Sequence, residues 1–193
     1  MRSLIVTGVP RAGKSTLARR VAEARGMDYF PLDAMVSVLG SEHPDLGITH
    51  RTDDMPAVSR RLAPLVAALT RHLEYEDCPT VLDVYQCLPG DLATALQERL
   101  IPVPEVVCVG YPAADPRRKL GEIRRHARPG DWTEELSDAV LEGLVQRFIR
   151  ESRRMAREAE ELGWQYIDLS SNFQDTLADY ITALGYSKER DLE

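Results

Sequence analysis

Residues 8–16 read GVPRAGKST, and this stretch decides how the rest of the chain is interpreted. It lies between an apolar run typical of a strand and a periodic segment typical of a helix. The stretch fits the pattern G-x-x-x-x-G-K-[ST] through Gly8, Gly13, Lys14 and Ser15. A loop of this kind surrounds phosphates with backbone N–H groups and opens a helix whose N-terminal dipole favours anions. The alternative interpretation is a glycine-rich turn with a purely structural role.

The motif predicts which residues hold the phosphates of a bound nucleotide. Lys14 is expected to reach the β and γ phosphates as a catalytic cation, and Ser15 is expected to ligand Mg²⁺. MgATP is the ligand that this arrangement predicts. The nucleotide-binding candidates in the loop are Gly8, Val9, Pro10, Arg11, Ala12, Gly13, Lys14, Ser15 and Thr16.

Strand-like and helical patterns alternate along the whole chain. Short apolar runs predict five strands, at 4–7, 29–32, 80–84, 106–110 and 166–169. Helical spacing predicts helices at 14–25, 58–73, 91–100, 116–127 and 172–184, and a helix of more than 25 residues from residue 133. This alternation predicts an α/β fold, a five-stranded parallel sheet with helices on both faces.

Composition sets the broad class of the protein. The 193 residues carry a formal net charge of −7, so we expect binding neither to nucleic acid nor to a membrane surface. We predict one domain over 1–187 followed by a short tail at 188–193. Three cysteines at irregular spacings fit a reducing compartment and a cytoplasmic location. The sequence leaves the oligomeric state open.

The loop, the five strands and a helical hairpin after the fourth strand together resemble the small P-loop kinases, which include adenylate, shikimate and other metabolite kinases. The ending Ala12-Gly13-Lys14-Ser15 is also similar to that of chloramphenicol phosphotransferase, whereas Arg11 stands where adenylate kinases have glycine. The resemblance spans nearly the whole chain. It implies that ATP and Mg²⁺ are used and that a small molecule accepts the phosphoryl group.

Two aspartates follow predicted strands at the edge of the sheet where the loop lies. In the resembled kinases an aspartate at the place of Asp33 orients or deprotonates the acceptor hydroxyl; the alternative is that Asp33 caps the helix that follows. Asp83 ends the third strand and resembles the acid that supports Mg²⁺, although many strands end in aspartate without such a role.

A cationic segment between residues 117 and 128 contrasts with the acidic chain. The resemblance implies a lid, at about 115–135, whose arginines close over ATP, and we predict Arg124 and Arg128 as the phosphate-facing ones. A solvated helix face is the alternative. The resemblance also implies an adenine site in the loop after the last strand, which includes Asn172.

The acceptor is expected to bind in the region 33–76. Nucleoside monophosphate kinases hold the acceptor phosphate with arginines that are absent after Asp33 and Asp83, where the sequence offers apolar or neutral side chains. This predicts a partly apolar alcohol without a phosphate group, although Arg51, Arg60 and Arg61 could serve a phosphate in a different arrangement.

The function expected from the sequence is the transfer of the γ-phosphate of MgATP to the hydroxyl group of a small molecule, which could be a metabolite, a nucleoside or an antibiotic. Two alternatives stay open at this point. The chain could be a nucleoside monophosphate kinase, or a nucleotide-binding regulator without catalysis.

Overall fold

The computed structural model describes residues 2–50, 54–100 and 102–183. Five strands in these ranges form one parallel sheet in the order β2-β3-β1-β4-β5. They are β1 (Leu4–Gly8), β2 (Asp28–Pro31), β3 (Thr80–Val84), β4 (Glu105–Gly110) and β5 (Gln165–Asp168). The predicted fold class is therefore confirmed, while the predicted tail at 188–193 lies outside the described residues.

Seven α-helices in the described ranges connect and cover the strands. They are α1 (Lys14–Arg25), α2 (Leu32–Glu42), α3 (Met55–Tyr75), α4 (Pro89–Arg99), α5 (Pro116–His126), α6 (Asp138–Glu161) and α7 (Phe173–Ala183). The bounds of α1 are those predicted, and the left-handed φ of 62° at Gly26 ends that helix. In the part of the chain that the structure describes, no helix combines the length and apolar character needed to cross a bilayer.

The two faces of the sheet carry separate apolar cores. Leu4 and Val6 belong to one buried cluster and Ile5 to the other, as the alternation of side chains along a strand requires. One cluster includes α1, α7 and much of α6, whereas the other includes α2, α3 and α4. The central strands β1, β3 and β4 are buried on both faces and read as largely apolar runs, which is why the sequence reveals them, whereas the edge strands β2 and β5 are mostly exposed.

The long helix starts later than its pattern predicts. We expected it from residue 133, but α6 begins at Asp138 and has 24 residues, with the Ser137 side chain accepting a hydrogen bond from the Val140 backbone N–H. Thr133 is fully buried, and its backbone N–H and hydroxyl both donate to Asp131. These local hydrogen bonds hold residues 131–136 in turns, so they delay the start of the helix.

Parallel pairing places the carboxyl ends of all five strands at one edge of the sheet. The glycine-rich loop follows β1 there, the first turn of α2 follows β2, and Tyr85 follows β3. Tyr111 follows β4, and the turn before α7 follows β5. Segments that are far apart in sequence are thereby brought around one crevice.

We predict that Ser59→Ala lowers the free energy of unfolding by about 1–3 kcal/mol. The Ser59 side chain is fully buried and its Oγ accepts a hydrogen bond of 2.8 Å from the Leu88 backbone N–H, which the substitution leaves unsatisfied. Urea unfolding measures the change. Ser41→Ala is the matched control, because Ser41 is exposed on α2 and should change stability by less than about 0.5 kcal/mol. Equal effects of the two substitutions would contradict the prediction.

Candidate active site

Two close contacts shape the glycine-rich loop. A side chain at Gly8 would collide with the carbonyl oxygen of Val109 on β4, and a side chain at Gly13 would collide with the ring of Phe173. Gly13 also has a left-handed φ of 89° immediately before α1 begins. Both glycines are therefore needed for steric reasons, and the loop ends at a helix N terminus as the motif requires.

A buried ion pair joins the loop to the neighbouring strand β3. Lys14 Nζ contacts Asp83 Oδ1, and the two side chains are only 7% and 3% exposed. Tyr29 on β2 donates a hydrogen bond of 2.8 Å from its hydroxyl to the other carboxylate oxygen of Asp83. Burial, together with the hydrogen bond and the charge of Asp83, raises the pKa of Tyr29 to about 12. The predicted catalytic lysine and the predicted metal-supporting acid thus lie together.

Asp33 lies in the first turn of α2 and does not cap that helix. The helix begins at Leu32, and its N-cap residue is Pro31, which makes no side-chain cap bond. The N-cap alternative for Asp33 is therefore wrong. One carboxylate oxygen of Asp33, Oδ1, is buried without a hydrogen-bond partner among the described residues. Such an oxygen is open to a ligand's hydrogen-bond donor.

Arg11 connects the glycine-rich loop to the hairpin formed by α5, α6 and the turns between them. Its Nη1 lies 2.6 Å from Asp131 Oδ2, and its Nη2 donates to the Ile123 carbonyl at 3.3 Å. Arg11 has a φ of 60°, a left-handed conformation that non-glycine residues rarely adopt. Strain of this kind is kept where surrounding contacts fix it, and the Asp131 pair is such a contact.

Tyr111 provides a second link between the loop and this α5–α6 hairpin. The Tyr111 hydroxyl donates to the Pro10 carbonyl at 2.9 Å, and the ammonium of Lys119 lies 4.5 Å from the centre of the Tyr111 ring. Burial lowers the pKa of Lys119. The middle of the glycine-rich loop is thus held by β4 and by the hairpin at the same time.

The structure places Arg124 elsewhere than the sequence analysis expected. Its guanidinium donates to Asp138 Oδ1 at 2.7 Å and to the carbonyls of Thr133 and Leu136, all within the α5–α6 hairpin. A planar guanidinium with its donors fixed in this way stabilises the hairpin and does not face the loop. Arg128 is exposed in the turn of the hairpin, so its predicted role remains a prediction.

The apolar side chains that follow Asp33 and Asp83 differ in their exposure. Val36, Cys87 and Leu88 are buried in the core, and Val38 is 57% exposed. Within the predicted acceptor region 33–76, α2 continues to Glu42 and a short helix follows at Pro44–Leu46. Arg61 donates to the Gly47 carbonyl, Arg60 is exposed and Arg51 lies outside the described residues.

Two of the neutral side chains predicted after Asp83, Tyr85 and Gln86, lie near His50 and Thr49. The imidazole of His50 lies within 3.1 Å of the Asp33 carbonyl, and its ring stacks on Tyr85 with 6.3 Å between the ring centres. Gln86 donates from Nε2 to the Thr49 carbonyl at 2.9 Å. The wall of the crevice between Asp33 and the end of β3 is therefore built from hydrogen-bonding groups.

The remaining predicted residues lie around the glycine-rich loop. Ser15 and Thr16 occupy the first turn of α1, with Ser15 partly buried and Thr16 exposed. Asn172 is exposed with a φ of 51°, and Phe173 beside it packs on Gly13. The turn before α7 is thus adjacent to the loop, as the adenine-site prediction for Asn172 requires.

No group of three or more His, Cys, Asp or Glu side chains that could hold a metal occurs in the described ranges. Both carboxylate oxygens of Asp83 are already engaged, by Lys14 and Tyr29. The donor set therefore fits a metal that arrives with a nucleotide and is completed by phosphate oxygens, with Ser15 and Asp83 as the protein side chains nearby.

Three site residues escaped the sequence analysis: Tyr29, Asp131 and Tyr111. Tyr29 and Tyr111 read as ordinary strand and strand-end residues, and Asp131 reads as part of a turn. Position relative to the strand ends was the available signal for Tyr111, because it directly follows the run 106–110. The pairing of Asp131 with Arg11 spans 120 residues and has no local signature.

We predict that Asp131→Asn lowers the thermal midpoint at neutral pH and that the difference from wild type closes in acid. Burial alone raises the pKa of Asp131, but hydrogen bonds from Thr133 and the Arg11 charge outweigh it and lower the pKa below its usual value. A lowered folded-state pKa contributes stability above the unfolded value of about 3.9, and that stability is lost as pH falls through the folded pKa.

Thermal unfolding across the acidic range checks this prediction. Glu142→Gln is the control, because the Glu142 carboxylate pairs at 3.8 Å with an Arg117 side chain that is 88% exposed. A difference between Asp131→Asn and wild type that stays constant with pH would show that the charge of Asp131 is not what stabilises the hairpin.

The chain is similar to known proteins in its three-dimensional structure. No protein-family model and no curated protein matches the chain in sequence. A gluconokinase from Sinorhizobium meliloti is similar with a TM-score of 0.55 and 17% identity, covering 95% of each chain. A sugar kinase from Janibacter sp. HTCC2649 has a TM-score of 0.57 at 18% identity, covering 96% of this chain and 95% of the other.

A shikimate kinase from Bacteroides thetaiotaomicron is similar to the same degree. Its TM-score is 0.57 at 14% identity, and the match covers 96% of this chain and 99% of the other. At these identities the likeness concerns the fold, and it extends over nearly the whole length of each protein. The chain therefore has the adenylate-kinase-like P-loop fold found in shikimate kinase and gluconokinase.

Proposed function

We propose that this protein is a phosphotransferase that moves the γ-phosphate of MgATP to a hydroxyl group of a small molecule. The observation that carries the proposal is the buried Lys14–Asp83 pair, which holds a loop lysine at the edge of the sheet where Asp33 also lies. The kinase fold of the similar structures supports the same conclusion.

In the proposed reaction Asp33 accepts the proton of the acceptor hydroxyl. The oxygen of that hydroxyl attacks the γ-phosphorus in line, and ADP leaves. Oδ1 of Asp33 suits this role because no donor among the described residues competes for it. Lys14 stabilises the negative charge that develops on the transferred phosphoryl group, and the backbone N–H groups of residues 8–16 hold the phosphates. Asn172 would lie beside the base of the nucleotide.

The bound Mg²⁺ would neutralise the β and γ phosphate oxygens. Ser15 would coordinate it directly and Asp83 would support its water shell. Arg128, exposed in the turn of the hairpin, is the predicted arginine that we propose for the phosphates, since Arg124 is held inside the α5–α6 hairpin and Arg11 is paired with Asp131. Closure of the hairpin would exclude water from the crevice.

The alternative of a nucleoside monophosphate kinase has less support from the crevice. A phosphate dianion needs paired cations, and the polar groups beside Asp33 in the described ranges are His50, Tyr85 and Gln86. The alternative of a nucleotide-binding regulator requires no acceptor. ATP turnover that depends on an added acceptor separates a kinase from a regulator.

We predict that Lys14→Ala lowers turnover by at least ~100-fold, because the cation that follows the transferred phosphoryl group is lost. The substitution also leaves Asp83 buried without its opposite charge, so the thermal midpoint should fall. Lys14→Arg keeps the ion pair but moves the cation, and we expect it to lose turnover with a smaller loss of stability.

Steady-state turnover and thermal unfolding of both variants check this prediction, with Arg20→Ala on the exposed side of α1 as the control. If folded Lys14→Arg and Lys14→Ala both retained near-normal turnover, the proposed function would be wrong.

We predict that Asp33→Asn loses phosphoryl transfer yet still binds MgATP, because its carboxylate serves the acceptor and not the nucleotide. Calorimetric titration with a nonhydrolysable ATP analogue, next to turnover measurements, tests the separation. Asp28→Asn, at the opposite end of β2, is the matched control and should leave both unchanged. Loss of nucleotide affinity with turnover preserved at saturating ATP would assign Asp33 to the metal site or to structure.

A further inference from the structure

Buried oxygen atoms without donors gather around the end of β3. Five buried side-chain atoms in the described ranges have no hydrogen-bond partner. Three of them are Asp33 Oδ1, Gln86 Oε1 and Glu151 Oε2. Each is a hydrogen-bond acceptor, and buried polar atoms are normally satisfied. Among the described residues these three oxygens are therefore open to hydrogen-bond donors of a ligand.

Gln86 gives the clearest case. Its side chain is 1% exposed, and its Nε2 donates to the Thr49 carbonyl at 2.9 Å. This bond fixes the orientation of the amide, because a flipped amide would place two oxygens against each other. Gln86 also has a φ of 65°, a strained conformation that clusters at functional sites. Its Oε1 is thus held in place without a donor in the part of the chain that the structure describes.

Glu151 reaches the same region from α6. Its Oε1 accepts a hydrogen bond of 3.1 Å from Arg147 Nε, whereas Oε2 is buried without a partner. Tyr85 lies within the electrostatic influence of Glu151, Arg147 and Asp33 together. Burial is the largest cause that raises the pKa of Tyr85. The carboxylates of Glu151 and Asp33 also raise this pKa, and the Arg147 charge lowers it. Glu151 and Asp33 therefore act on the Tyr85 ring that stacks on His50.

We propose that Glu151 and Gln86 determine acceptor specificity by receiving hydrogen bonds from hydroxyl or ammonium groups of the acceptor, which carries neither a carboxylate nor a phosphate. The proposal rests on the function proposed above and names the class of its acceptor. The compound is a polyhydroxylated or amino alcohol. One hydroxyl meets Asp33 and is phosphorylated, while other donors meet Gln86 Oε1 and Glu151 Oε2.

Charge in the crevice argues against an anionic acceptor. Asp33 and Glu151 would repel a carboxylate, and three cations among the described residues around the crevice already have acidic partners. Lys14 pairs with Asp83, Arg147 with Glu151 and Arg11 with Asp131. An anion would have to displace one of these pairs, whereas a donor-bearing alcohol satisfies the open oxygens directly.

The first experiment uses the wild-type full chain with MgATP and four candidate acceptors that carry different functional groups. D-Glucitol and D-gluconate have the same carbon chain and differ only in a hydroxymethyl group against a carboxylate. D-Glucosamine adds an ammonium group, and AMP represents the phosphate-bearing acceptors. We expect kcat/KM for glucitol to exceed that for gluconate by at least ~10-fold, and glucosamine to be preferred to AMP.

The second experiment assigns the discrimination to Glu151. Glu151→Gln keeps an oxygen for Arg147 but removes the charge, so KM for glucosamine should rise by at least ~10-fold and the preference for glucitol over gluconate should shrink. Glu161→Gln removes the same charge from an exposed position of α6 and should change neither quantity. Thermal unfolding verifies that both variants are folded.

Three results overturn the proposal. They are gluconate or AMP used better than the donor-bearing compounds, no use of either glucitol or glucosamine, and an unchanged preference in folded Glu151→Gln. Turnover of gluconate alone would reject the acceptor class and leave transfer to a hydroxyl group standing, whereas turnover of AMP alone would favour the nucleoside monophosphate kinase. Failure of the wild-type chain to bind the ATP analogue would reject the proposed function itself.

Discussion

The buried contact between Lys14 and Asp83 is the interaction on which the arrangement of the site depends. An ion pair with side chains 7% and 3% exposed is stable only if its remaining polar atoms are satisfied, and the Tyr29 hydroxyl satisfies the second oxygen of Asp83. The pair joins the loop after β1 to β3, and the hydrogen bond extends the connection to β2. Three strand ends are thereby fixed relative to one another, with a cation at their centre.

The sequence predicts the sheet and the loop well because both have local causes. Strands buried on both faces must be apolar throughout, and a loop ending in Gly13 and Lys14 at a helix N terminus has a recognisable spacing. The start of α6 is different. Its pattern continues back to residue 133, but the hydrogen bonds between Thr133 and Asp131 compete with helical ones, and sequence periodicity does not register that competition.

Side-chain pairing explains what the sequence could not predict in the site. The six cationic side chains between residues 117 and 128 suggested a shared role in binding phosphates. Arg124 instead stabilises the hairpin, and Arg11, which lies in the glycine-rich loop, binds Asp131 of the hairpin. The choice between these roles depends on carbonyls and carboxylates that come close only after folding. Likewise, Val36 and Cys87 looked like pocket lining because burial cannot be assigned from adjacency to a strand end.

The contact between Phe173 and Gly13 has a consequence for how the protein is made. The ring belongs to the last helix in the described ranges and the glycine to the first loop, so the two are separated by most of the chain. Because synthesis proceeds from the N terminus, the loop emerges from the ribosome long before the aromatic ring that packs on it. Until α7 has docked, the Gly13 face of the loop stays uncovered, and the glycine-rich loop is among the last parts of the nascent protein to be completed.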